Sequence, residues 1–263
     1  MRSLTRSFVL ALLVGIGAFA DEWTKTFPVS GNPEVRIETE DGSVTVRAWD
    51  EHKIAARVTT SGWRIGPGEV TVQESQTGDD VRIAVHQPHP SFNFSLGTRW
   101  IRIDLQVPRQ IASDIRTGDG SINIEDVVGD TRLHTGDGRI EAISLRGSLR
   151  AETGDGRIRV RGSLELLMLH TGDGAIEADV LEGSRMSGPW SVVTGDGHVT
   201  LRLARDFAAN LEARSGDGRI SVELPSTAAI SSRQRDYVRA AINGGGPTFS
   251  IRTGDGSVSV SVL

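Results

Sequence analysis

Thr117-Gly118-Asp119-Gly120, Thr135-Gly136-Asp137-Gly138, Thr153-Gly154-Asp155-Gly156 and Thr171-Gly172-Asp173-Gly174 begin 18 residues apart. Further copies begin at Thr194, Ser215 and Thr253, and Thr39-Glu40-Asp41-Gly42 is a looser early one. Four starts in strict register define an internal repeat, and periods of roughly 20 to 50 residues mark solenoids and arrays. Each copy is followed by a short alternating stretch such as Arg139-Ile140-Glu141-Ala142, Arg157-Ile158-Arg159-Val160 or Ala175-Ile176-Glu177-Ala178. Alternation with period two gives a strand with one wet and one buried face. A second short strand precedes each turn, with Leu149 and Ala151, then Leu167 and Leu169, at its inward positions.

One period is therefore two strands and two turns, a unit too small to bury its apolar side alone. Stacking such units in parallel buries a continuous column of Ile, Val, Leu and Ala. The predicted fold is all-β: a right-handed parallel β-helix, or solenoid, with about 18-residue coils. The competing geometry is a chain of antiparallel hairpins with Asp-Gly as a type I′ turn, which does not demand a fixed register. Parallel stacking places Glu141, Arg159 and Glu177 in one outward ladder of alternating sign, whereas Arg139 and Arg157 become like-charged neighbours.

The spacing widens after Thr171 and Thr194, which reads as insertions around Gly188-Pro189-Trp190 and Asp206-Phe207. From Ser215 to Thr253 it is 38 residues, close to two periods with one turn signature lost. Ser226 to Ile242 is the one stretch suited to a capping helix. Residues 21–116 lack the strict period but keep alternating runs, as in Val81-Arg-Ile-Ala-Val and Trp100-Ile-Arg-Ile-Asp-Leu-Gln-Val. They read as an N-terminal β cap over the solenoid of residues 117–263, because an open strand edge invites aggregation.

Residues 1–20 read as a signal peptide. Arg2 and Arg6 precede an apolar run from Phe8 to Phe19, and Ala18-Phe19-Ala20 is a small-residue cleavage site. The expected product is exported, periplasmic or on the cell surface, and not membrane-spanning once cleaved. There are no cysteines, so disulfides, thiolate metal sites and a thiol nucleophile are excluded. Aromatics are only 5% of the chain, which suits a narrow interior. A net charge of -5 offers no polycation for nucleic acid.

The repeated Gly-Asp-Gly-x-Ile/Val-x-Val unit resembles the DUF4097 family of bacterial exported proteins, often labelled as proposed adhesins. So do Ile103-Asp-Leu-Gln-Val-Pro-Arg leading to Ile115-Arg-Thr-Gly-Asp-Gly, and Ile242-Asn-Gly-Gly-Gly-Pro-Thr-Phe-Ser-Ile-Arg-Thr-Gly-Asp-Gly. The resemblance implies a β-helical fold and a cell-envelope location. It carries no catalytic motif.

Candidate chemistry centres on the turns. Gly118, Gly120, Gly136, Gly138, Gly154, Gly156, Gly172 and Gly174 are read as structural, supplying positive φ, with each Asp bonding the backbone in an Asx-type turn. The alternative is a calcium ladder of Asp119, Asp137, Asp155, Asp173, Asp196, Asp217 and Asp255, since stacked carboxylates repel and a cation relieves them. Calcium takes six to eight oxygens, however, and one acid per coil supplies few. His134 and His170 fall two periods apart with Glu152 between them, and His86-x-x-His89 is a second histidine pair. No repeated acid pair marks a polysaccharide-cleaving β-helix enzyme. The expectation is a non-enzymatic envelope binding or scaffold protein without cofactor. Its partner is an envelope glycan, or a protein held through Trp49, Trp63 and Trp100.

Overall fold

The computed structural model describes residues 20–88 and 99–263. No helix occurs among them, and the strands form one hydrogen-bonded system folded into two faces. The solenoid predicted from the repeat is present. β10 (Val128–Thr135), β11 (Ile140–Thr153) and β12 (Ile158–Thr171) pair in parallel, 18 residues out of step: Leu133 opposes Ala151, and Ala151 opposes Leu169. β11 and β12 each run from one face to the other through a bulge. The hairpin alternative is thereby excluded for the repeat.

Each coil contributes a strand before its turn to the first face and a strand after it to the second. On the first face β8 (Ala112–Thr117), β10, β11, β12, β14 (Trp190–Thr194) and β20 (Thr248–Thr253) stack in parallel. On the second, β9 (Ile122–Glu125), β11, β12, β13 (Ile176–Val180), β15 (Val199–Leu203) and β21 (Val258–Val262) do the same. Alternation then fixes what lies inside. Ile122, Ile140, Ile158, Ile176, Val199 and Val258 form one buried column, each opposite the next. Fully burying such a side chain contributes about 1.5–3 kcal/mol, and the column supplies one per coil.

The outward ladder follows the same register. Arg159 lies 4.0 Å from Glu141 and 3.7 Å from Glu177, as parallel stacking requires. All three side chains are substantially exposed, so the ladder contributes tenths of a kcal/mol and mainly reports the register.

The chain does not stack in sequence order at either end. β2 (Glu34–Thr39) and β3 (Ser43–Trp49) carry the early Thr39-Glu-Asp-Gly turn. They slot between the β8–β9 coil and the coil of β6 (Asp80–His86) and β7 (Trp100–Pro108). At the other end β20–β21 slots between the β14–β15 coil and the coil of β16 (Ala209–Ser215) and β17 (Ile220–Val222). The last coil in sequence is thus the next to last in space.

Antiparallel strands close both ends. β1 (Ala20–Pro28) lies on β4 (Lys53–Ser61), which lies on β7, and β5 (Thr71–Thr77) covers β6. At the far end β19 (Tyr237–Ile242) covers β16, and β18 (Ala229–Arg233) covers β19. Two expectations are corrected here. Ser226 to Ile242 contains a strand pair and no helix. The 38-residue gap is not two coils with a lost signature: it holds a cap, after which the chain returns into the stack. The reading of residues 1–20 as a leader lies, apart from Ala20, outside the described residues.

The insertions found in the sequence deliver the large core side chains. Trp190 and Phe207 meet Phe249 with ring centroids 5.2 and 5.4 Å from Trp190, and all three are buried. The Trp190 indole Nε1–H donates to the Glu165 carbonyl oxygen at 3.0 Å, so its one polar atom is satisfied.

Candidate functional site

The repeated turns form one long edge of the solenoid. Asp41, Asp119, Asp137, Asp155, Asp173, Asp196, Asp255 and Asp217 follow one another along it, all exposed. Each carboxylate except that of Asp217, the last in the row, packs over the first glycine of the next coil: a Cβ on Gly172 would stand 2.8 Å from Asp155 Oδ1. None of these aspartates hydrogen-bonds a backbone group among the described residues, which corrects the Asx-turn expectation. No group of three or more acidic or histidine side chains there could hold a metal ion.

The hydrogen bonds belong to the threonines. Thr135 Oγ1 donates to the carbonyl oxygens of Gly120 and Gly118, at 2.8 and 2.9 Å, and accepts from the Gly138 N–H at 3.2 Å. Thr153, Thr171, Thr194, Thr253 and Ser215 repeat the arrangement. These hydroxyls are buried, where a side chain of this kind needs both partners. The glycine rationale is also corrected, because no glycine of the Thr-Gly-Asp-Gly turns has a φ in the left-handed region. What they supply is closeness. A Cβ on Gly156 would lie 2.0 Å from the Gly138 carbonyl oxygen, and the first glycine of each turn donates its N–H to its counterpart in the preceding coil.

The first face carries an open groove of about 710 Å³ crossing five coils from Asp114 to Ser191 and Val193. Its floor is the outward set of β8, β10, β11, β12 and β14. Register places Asp114, Arg132, Arg150 and Met168 in one column, and Arg116, His134, Glu152 and His170 in the next. His134 Nδ1 lies 3.7 Å from a Glu152 carboxylate oxygen. The sequence-predicted His134, Glu152 and His170 are therefore brought into one column. His89 lies outside the described residues.

Three arginines on this face pair with an acid two residues earlier on the same strand, whereas Arg82 and Arg252 make no ion pair among the described residues. Arg36 meets Glu34 at 2.6 Å, Arg116 meets Asp114 at 3.1 Å and Arg214 meets Glu212 at 2.7 Å. The Glu34 hydrogen bond and charge hold Arg36 above the usual guanidinium pKa; Tyr237 and then Glu212 do the same for Arg214. Arg132 and Arg150, directly opposite each other, have no ion-pair or hydrogen-bond partner among the described residues. The sequence reading overlooked this pair, although their 18-residue separation places them in one column; what the period cannot reveal is that neither finds an acid.

A second groove, of about 810 Å³, lies on the second face near the amino-terminal cap. Its cations are neutralised: Lys25 by Glu74, Arg47 by Glu125 and Arg57 by Glu22. Trp49 and Trp63 are half-buried, and Lys53 and Arg99 lie over their rings at 5.2 and 4.3 Å. Trp100 alone of the three is exposed, at 39%. No described helix is long and apolar enough to cross a membrane.

Comparison with known proteins adds a family. The family described as Toastrack DUF4097 matches residues 101–261, more than half of the chain. No curated protein matches it. Similar solved structures include a proposed cell adhesion protein from Clostridium sporogenes, at 13% identity and TM-score 0.42, covering 93% of this chain and 100% of that one. A proposed adhesin from Bacteroides fragilis is 13% identical with TM-score 0.46, covering 92% and 97%. A proposed lipid binding protein from Parabacteroides distasonis is 11% identical with TM-score 0.43, covering 91% and 96%.

Proposed function

We propose, from the premise that this chain belongs to the Toastrack DUF4097 family, that it is a non-enzymatic binding module of the cell envelope. The observation that carries this reading is the groove crossing five coils of the first face. A surface generated by stacking repeats is long, open and regular, which suits a linear or extended partner better than a compact substrate. The basic, apolar-run and small-residue pattern of residues 1–20 supports export to the periplasm or cell surface.

Binding is favoured over hydrolysis by the placement of the groove's acids. Asp114 and Glu152 stand two coils and two residues apart, about 12 Å between backbone positions at ordinary strand spacings. Glycoside hydrolases instead aim two carboxyl groups at one scissile bond. Glu152 is exposed, away from the apolar surroundings that raise a catalytic acid, and Asp114 is held in an ion pair by Arg116 at 3.1 Å.

The test is to incubate the purified protein with a panel of envelope glycans and measure retention and product release together. Retention without products is expected. Release of shortened glycans would overturn the reading.

A further inference from the structure

We propose that the groove on the first face binds an acidic polysaccharide, with Arg132 and Arg150 holding two of its acid groups. This rests on the binding-module reading and names its ligand class.

The argument begins with the arginine pair. Two guanidinium groups face each other across neighbouring parallel strands, an arrangement that opposes folding unless something of opposite charge answers it. Arg36, Arg116 and Arg214 on the same face each receive that answer from their own strand. Arg132 has Asp130 two residues before it and Asp114 opposite it, yet neither Arg132 nor Arg150 makes an ion pair or hydrogen bond among the described residues, and both line the groove. A guanidinium matches a carboxylate or sulfate with two parallel hydrogen bonds, so two of them one strand spacing apart read two successive acid groups.

The rest of the groove selects among polyanions. Asp114 and Glu152 flank the pair and are acceptors only. They would repel a phosphodiester chain charged at every residue, yet they suit hydroxyl donors. A chain rich in hydroxyls and sparsely acidic meets both conditions. No Phe, Tyr or Trp ring lines the groove to give the stacking platform that single-stranded nucleic acid uses. A membrane surface would call for a cluster of about four to eight cations, twice what is free here or more. Met168, 38% exposed at the end of the arginine column, gives an adaptable apolar contact for the carbon face of a sugar ring. The five coils span about 19 Å at ordinary strand spacing, enough for a short run of sugars.

The test uses polygalacturonate methyl-esterified at about half of its residues, its fully methyl-esterified neutral form, and vesicles of phosphatidylcholine with phosphatidylglycerol. Binding is compared for the unaltered protein, the double variant Arg132→Gln/Arg150→Gln, and Arg139→Gln/Arg157→Gln. The last removes the same charge from the opposite face. The half-esterified polygalacturonate should bind and the fully esterified form should not. The groove variant should weaken binding about tenfold or more while the opposite-face variant stays near the unaltered protein. Its melting temperature should be no lower, since a like-charge contact has been relieved. Equal loss in both variants, equal binding of the neutral form, or preference for the vesicles would overturn the acidic-polysaccharide assignment. Binding of neutral glycans alone would overturn it and leave the binding module standing, whereas release of shortened polygalacturonate would overturn both.

Discussion

Thr153 and Gly138 are joined across two coils: the Thr153 hydroxyl donates to the Gly138 carbonyl oxygen at 3.0 Å while accepting from the Gly156 N–H at 3.3 Å. The hydroxyl thus ties its own turn closed and ties that turn to the one before. Its neighbour Asp155, the more conspicuous residue in the motif, is exposed and makes no such bond.

Thr153→Val keeps the shape and removes both bonds, leaving a buried carbonyl and N–H without their partner. The expected loss is about 1–3 kcal/mol in chemical or thermal unfolding. Asp155→Ala should cost no more than about 0.5 kcal/mol. Equal losses at the two positions would show that the carboxylate shares the structural role.

The second turn glycine is a packing requirement. In Gly156→Ala the added carbon meets backbone, which cannot rotate away, so the coils must part; the loss should reach or exceed the roughly 1–3 kcal/mol of ordinary overpacking. Gly66→Ala is the matched control, because nothing lies within 4 Å of its Cβ position, and its stability should change by less than about 0.5 kcal/mol. Denaturant midpoints of the two variants decide the matter: similar values would contradict close coil approach.

Trp190→Ala empties the centre of the aromatic cluster formed with Phe207 and Phe249. With Phe207 and Phe249 left facing a void, destabilisation of about 3–5 kcal/mol is expected. Near-ultraviolet circular dichroism should lose much of its signal in parallel. An intact spectrum and unchanged melting point would place the indole in solvent, against the geometry.

Removing residues 248–263 should do more than trim an end. It takes out β20 and β21, the coil between β14–β15 and β16–β17, so the terminal cap loses its seat. Hydrogen exchange should show β16 and β19 unprotected while β8 to β12 keep slow amides. Retained protection in β16 would mean that the cap can rest directly on β14.

The repeat made much of this fold legible. Eighteen-residue spacing aligned Ile122, Ile140, Ile158 and Ile176 before any coordinate was known, and it aligned Glu141 with Arg159. It failed where identical motifs needed distinct addresses: nothing local in Thr253-Gly-Asp-Gly says that it stacks on Thr194 rather than on Ser215. The cap strands were illegible for the opposite reason, since Ser226 to Ile242 carries no period at all. In the turns, the pattern pointed to Asp because Asp is a frequent turn residue, whereas Thr reads as the end of a strand. Which of the two faces inward is a fact of packing. The arginine pair lay in plain spacing, but its lack of an acid partner depends on where neighbouring side chains reach.

The out-of-order coil at the carboxyl end also bears on how the chain folds. Synthesis delivers β14–β15, then β16–β17, and only later β20–β21, yet the native stack requires the latecomer between the other two. Until residue 262 has emerged, the edge of β14 stands open, and β16 carries a turn motif almost identical to the one that belongs there. Early contact of β16 with β14 would offer a partial and transient version of the same hydroxyl ladder, and would have to reopen before the last coil could enter. The uniformity that lets eight turns' worth of backbone pair so closely therefore builds a kinetic competitor into the molecule, of the kind expected when non-local strands pair late.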